Sequence, residues 1–574
     1  MRRALPVIGV VVLVGVAALF TWRSIDRPAG GGDADGPMAF APADTPYVIG
    51  MLEPFPQAVI DDWMQRADSL GPLYARQLDD ADRALARQGG DQAPGARVLA
   101  AVRAEFAGKT PQQALAVLGM DGRGRMALYG VGLVPVLRME LADPDAFTGF
   151  VTRMEEQAGQ PLPRASVEGR DYWRFAIEEA RVDALLAVLD GHLVATVAPA
   201  GADAAVLRTL LGLKRPAVSA DADLARVNGE LGFTDHFSGY LDTGRLLAAL
   251  TREPTPVEAA FLTALQIDRP SLEPACRDEY AALAVSWPRV AFGYTEVATD
   301  RLVADTVIQT SKAIAQDLMK LRAPMPGMAL VDADTPMNLG LSLKLSELPA
   351  LVDRHAAAIE ATPFQCPELA WINAGATGAR TQVNNPALFA AAPVFHGFHL
   401  VLDHLAFSDT GEPSEAAGTL VIGSDNPQSL LAMARSFVPT LANVQIAPDG
   451  KVHALPLEGL PNAELAGPAH VAMGEHLIGI AFGQGQQARL PDALTIDAQQ
   501  QPLLVFGYGG AVYEQLATLS SRMAADTGDA ATREQAERTA AIMREIASRW
   551  LRRVEQRVEF TERGIEIRQT IELP

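Results

Sequence analysis

The sequence predicts an α+β class: two tandem homologous units of antiparallel sheet with packed helices, after one N-terminal transmembrane helix. Three observations point there. The order of motifs recurs along the 574 residues, short alternating segments are joined by tight turn signals, and helical stretches interrupt them.

The N-terminal element comes first. Met1-Arg2-Arg3 precedes an uncharged stretch from Ala4 to Trp22. As a helix it spans roughly 28 Å, close to a ~30 Å hydrocarbon core. Residues 1–25 therefore read as a membrane anchor, and Arg2 and Arg3 favour a cytoplasmic start, although Arg23 and Arg27 weaken that asymmetry. A cleaved signal peptide has the same layout and stays open as the alternative. No Cys follows that could carry a lipoprotein anchor. Residues 26–42, with Gly30-Gly31-Gly32 and several Pro and Asp, read as a flexible linker.

The repeat follows. Ala43-Asp44-Thr45-Pro46 with Gly50 returns as Ala333-Asp334-Thr335-Pro336 with Gly340. Leu137 to Phe147, with Asp143-Pro144, matches Leu420 to Leu430, with Asn426-Pro427. Glu168-Gly169 matches Asp449-Gly450, and Leu189-Asp190-Gly191-His192 matches Met473-Gly474-Glu475-His476. Trp287 and Arg289 match Trp550 and Arg552. The order never changes, which chance similarity would not preserve. The units are placed at 43–323 and 328–574, with Pro324 to Gly327 as a hinge.

Within the first unit, the pattern predicts helices over 58–70, 74–87, 98–106 and 111–118. Strands are expected over 125–129, 134–141 and 171–177, then a hairpin over 185–197. That hairpin turns on Asp190-Gly191, two residues that tolerate positive φ. A helix over 202–211, a strand over 237–241, further helices to Val285 and a hairpin over 291–308 complete it. The partner of that last hairpin in the second unit is 557–573.

Composition narrows the function classes. Acidic residues number 69 against 48 basic, a formal charge of −21, which argues against nucleic-acid partners. Two cysteines exclude a disulfide-dense scaffold and a four-cysteine zinc site. Cys276 and Cys366 form a candidate disulfide if the body lies outside the cytoplasm; two buried thiols are the alternative. Trp287, Arg289, Trp550 and Arg552 are candidate groove residues, with core packing of the tryptophans as the competing reading.

His396, His399 and His404 share one expected strand, where His399 points opposite to the other two, so one metal cannot engage all three. No metal site, cofactor or catalytic residue is assigned. The chain lacks a Gly-x-Ser-x-Gly elbow, His-Glu-x-x-His, a Walker A loop and a dinucleotide fingerprint. Acidic groups at Asp79-Asp80-Asp82 and Asp526 to Asp529 lack calcium-loop spacing.

The Ala-Asp-Thr-Pro openers, the Leu189-Asp190-Gly191-His192-Leu193 hairpin and the helix after it resemble uncharacterised bacterial envelope proteins of domain-of-unknown-function families. The resemblance implies a membrane-tethered extracytoplasmic protein of a Gram-negative bacterium and carries no catalytic residues across. The expected function is a membrane-anchored periplasmic binding or scaffold protein of the cell envelope. Its expected partners are the membrane, through the N-terminal helix, and envelope proteins or lipid. A carrier of lipid or another apolar ligand is the alternative, and an envelope hydrolase with a dispersed site comes third.

Overall fold

The computed structural model describes residues 35–68, 100–102, 104–267, 273–385, 393–408, 413–438, 441–442, 444–457, 463–525 and 530–574. The expected membrane span, the helix over 74–87 and the acidic groups at 79–82 and 526–529 lie outside them. No helix among the described residues is long and apolar enough to cross a membrane. The chain is α+β with extensive antiparallel sheet. It forms two compact units: one runs to Leu272 and resumes over Pro288–Thr299, and the other takes Glu273–Trp287 and Asp300–Pro574.

The first unit holds β1 (Tyr47–Gly50), β2 (Met126–Val131), β3 (Val134–Glu140), β4 (Arg164–Val167), β5 (Arg170–Ile177), β6 (Val182–Leu189), β7 (His192–Pro199), β8 (Ser238–Asp242) and β9 (Arg289–Val297). They lie antiparallel in the order β4-β5-β6-β7-β3-β2-β1-β8-β9. The β6–β7 turn is made by Asp190 and Gly191 at φ 51° and 79°, as the sequence predicts. Met139, Leu141, Leu186 and Leu193 meet Phe147 and Val151 of the helix Pro144–Ala158 on one face.

The second unit holds β10 (Arg301–Gln309), β11 (Met337–Ser342), β12 (Phe395–Phe407), β13 (Pro413–Ser424), β14 (His453–Leu455), β15 (Ala469–Met473), β16 (Leu477–Phe482), β17 (Leu504–Gly509), β18 (Arg553–Thr561) and β19 (Gly564–Glu572). Their order is β14-β15-β16-β13-β12-β11-β17-β18-β19-β10, again antiparallel. From β14 to β18 it matches β5 to β9 of the first unit strand for strand. The helix starts match too. Asp143 accepts the Ala146 N–H at 3.0 Å, and Asn426 accepts the Ser429 N–H at 3.0 Å, each ahead of a proline at the first helical position.

Three readings change in detail. Pro324 to Gly327 is no hinge: Ala323 and Met325 are buried, Met325 N–H donates to Gln500 O at 2.9 Å, and Ser342 Oγ donates to Ala323 O at 2.7 Å. The end of the expected linker is likewise packed, with Met38, Phe40 and Ala41 buried and Pro42 bridged to Ser219. These segments play one part in both units, because Met38 Sδ covers Gly50 and Met325 Sδ covers Gly340. A Cβ would meet those sulfurs at 2.7 and 2.8 Å.

The third change is a register slip. Val194 pairs with Arg138, and Gly479 pairs with Val421, so His192 corresponds to Leu477 and not to His476. His192 is buried and His476 exposed, as a one-residue shift of a strand requires.

Candidate functional site

The strand register fixes which residues can meet in the second unit. Asn338 on β11 lies opposite Val401 on β12 and Gly507 on β17, and Gly340 lies opposite His399. Gly509 lies opposite Arg553 on β18. Arg553, Asn338 and His399 therefore join into one buried chain. The Arg553 guanidinium donates to Thr335 O at 2.8 Å and to Asn338 Oδ1 at 2.6 Å.

A guanidinium only donates, so the amide must turn its oxygen to Arg553 and its nitrogen to His399. Asn338 Nδ2 then donates to His399 Nε2 at 3.1 Å, and His399 Nδ1–H donates to Pro326 O at 3.0 Å. This network fixes the histidine as the neutral Nδ1–H tautomer. His399 is 0% exposed, and burial pushes its pKa down to about 4. Gly507 makes the room: a Cβ there would collide with Asn338 Oδ1 and Arg553 Nη2.

The first unit solves the same position differently. Val48, Ala127 and Tyr240 stand where Asn338, His399 and Gly507 stand in the second. Arg289 pairs with Asp242 as Arg553 pairs with Gly509, so Arg553 is the register partner of Arg289, one position beyond Arg552. Arg289 lies over the Tyr240 ring at 5.5 Å and faces Glu230 at 3.7 Å. The Thr45 carbonyl is served by Arg245 at 3.4 Å, which also reaches the Tyr240 hydroxyl at 3.1 Å. Each unit thus brings an arginine to the carbonyl of its opener threonine, from a different element.

The four candidate groove residues are divided between the units, Arg289 in the first and Trp287, Trp550 and Arg552 in the second. Trp287 ends the helix Pro274–Ser286 at 39% exposure and belongs to the second unit, whereas Arg289 belongs to the first. Trp550 is half-buried, with an indole N–H that finds no acceptor among the described residues. Arg552 is exposed and lines an open cleft of about 510 Å³ with Gly510, Ala511, Glu514, Ala547, Ser548, Leu551 and Pro574. This cleft joins the start of the helix Gly510–Ala525 to the end of the helix Ala530–Arg549. It offers a cation, a carboxylate and a hydroxyl. The Ser548 hydroxyl donates to Glu545 O at 3.2 Å, which is helix-surface bonding and not activation by a base.

Cys276 and Cys366 form a disulfide, with Cα atoms 4.8 Å apart and exposures of 3% and 1%. Glu279, one turn along the helix from Cys276, accepts the N–H groups of Gln365 at 2.6 Å and Cys366 at 3.0 Å. Glu368 completes a set of three potential metal ligands with the two sulfurs, within 4.8 Å of one another. The S–S bond removes the thiolates a metal would need. His396 faces Asp425 at 2.7 Å and His404 faces Glu415 at 3.9 Å. A bulge between Leu402 and His404 pairs His404 with Ala417, on the same face of β13 as Val421 opposite His399, so the simple alternation expected for the three histidines does not hold along β12.

No protein-family model matches the chain, and neither curated proteins nor solved structures give a significant match.

Proposed function

We propose that this chain is a membrane-anchored periplasmic binding or scaffold protein of the bacterial cell envelope, built from a duplicated α+β unit. The observation that carries the reading is the buried Cys276–Cys366 bridge, since such bridges persist in oxidising compartments outside the cytoplasm. The uncharged stretch from Ala4 to Trp22 has the length to hold the body there. Duplication is supported by the strand order common to both units and by the paired Asp143 and Asn426 caps. Binding, and not turnover, is favoured by a cleft that offers polar groups without an activated nucleophile.

The carrier reading draws on the cleft volume, which falls in the range of small-ligand sites. Leu551 is the one large aliphatic side chain lining it, so the cleft suits a polar occupant better than a lipid tail. Native mass spectrometry of the full-length protein from its own membranes tests both. Envelope proteins co-purifying at fixed stoichiometry with an adduct-free chain are expected. A persistent lipid-mass adduct transfers the assignment to the carrier, and neither species overturns both readings.

A further inference from the structure

Arg138 is out of place in the first unit's core. It projects from β3 at 0% exposure, its guanidinium 3.5 Å from the Phe40 ring centroid. Nη2 donates to Leu211 O at 2.8 Å and the uncharged Tyr129 hydroxyl lies beside the guanidinium, while Nε and Nη1 meet no well-aligned acceptor among the described residues. No carboxylate among the described residues lies within ion-pair distance of it. Beside it, His192 is 4% exposed, sits with its ring 5.6 Å from the same Phe40 ring, and leaves Nδ1 without a partner among the described residues. The nearby charges are already matched: Arg125 with Glu140, Arg215 with Asp35, and Asp190 with Arg170. A buried cation without a counter-charge costs several kcal/mol.

The second unit shows that the fold does not ask for this cation. Val421 occupies the register position of Arg138, and Leu477 that of His192, both buried. An aliphatic pair fills the same place in the same sheet. The polar pair in the first unit therefore calls for a reason other than packing.

We propose that Arg138 and His192, beneath the turn Pro37–Phe40, form a binding position for one small oxyanion of the carboxylate or phosphate type. The anion supplies the counter-charge that the chain withholds and accepts from Arg138 Nε and Nη1. His192 adds a ring nitrogen as a second donor. Phe40 is the cover: it lies on the guanidinium, and Arg215 approaches its ring at 4.9 Å. Entry requires the Pro37–Phe40 turn to lift.

The test measures thermal unfolding of the full-length protein in sodium phosphate and in sodium acetate, each against sodium chloride at matched ionic strength. Arg138→Val and His192→Leu install the second unit's residues. In the wild type one oxyanion gives a saturable rise of roughly 2–6 °C. Which salt acts distinguishes phosphate from carboxylate. Arg138→Val abolishes the rise and, in chloride, unfolds at or above the wild-type temperature, because it removes an unpaired buried charge. His192→Leu reduces the response. The proposal is overturned if neither oxyanion acts on the wild type, if Arg138→Val responds equally, or if Arg138→Val unfolds several degrees lower in chloride.

Discussion

Acidification should loosen the second unit through His399, and the size of the effect follows from its surroundings. Burial holds the imidazole at a pKa of about 4, against ~6.5 in an unfolded chain. The unfolded state therefore takes up a proton first as pH falls. Stability is complete above pH ~6.5 and is lost progressively toward pH ~4. At about 1.4 kcal/mol per pH unit, the step from pH 7 to 4.5 removes about 2.5 kcal/mol. The hydrogen-bond chain explains why the fold resists the proton. A protonated Nε2 would face the Asn338 amide nitrogen, and flipping that amide would turn its NH2 toward Arg553.

The assay is hydrogen exchange at the β11 and β12 amides, corrected for intrinsic pH dependence. It is run on the wild type and on His399→Ala, which installs the first unit's residue. His399→Ala lowers the opening free energy at pH 7 by about 1–3 kcal/mol, through the lost packing and the amide left without its acceptor. It should also lose most of the additional drop at pH 4.5. An equal acid-induced drop in both proteins would refute the reasoning.

Two more outcomes follow from the same geometry. Gly507→Ala pushes a methyl group into Asn338 and Arg553 and should cost about 2–4 kcal/mol by denaturant unfolding; a change below ~0.5 kcal/mol would mean that the network is not fixed as described. Cys276 is the one buried residue of the helix Pro274–Ser286, so reduction or Cys276→Ser should strip that helix of exchange protection before the β11–β13 strands open; unchanged protection would show that other contacts hold it.

Much of the fold is legible where local chemistry decides it. Asp190-Gly191 permits one kind of turn, Asp143-Pro144 and Asn426-Pro427 are helix starts with their caps in place, and alternation exposes the strands. What escapes is register and depth. The sequence match of Arg552 to Arg289 keeps the spacing from tryptophan, but Leu551 is an extra residue before β18, so the pairing with β17 makes Arg553 the equivalent. The same kind of slip separates His192 from His476. Pro324 to Gly327 reads as a hinge from its prolines and glycine, while the deciding residue is Met325, whose sulfur covers Gly340, fifteen positions away in sequence and directly beneath it in space. Arg138 is hidden for a related reason: a lone arginine in an alternating strand reads as solvent-facing, and only the Pro37–Phe40 turn above it makes it buried. His399 carries a weak signal, since straight alternation sets it opposite to His396 and His404, but the bulge before His404 is not legible and nothing local names Asn338 and Arg553 as its companions.

The central claim is that the folded body lies outside the cytoplasm, tethered to the inner membrane. The most direct measurement is protease accessibility in intact cells and spheroplasts, with thiol alkylation of the same samples before and after reduction. The account predicts that the protein sediments with inner membranes, is cleaved only once the outer membrane is opened, and takes up label at Cys276 and Cys366 only after reduction. A soluble protein that survives protease in spheroplasts and labels at both cysteines without reductant would contradict it.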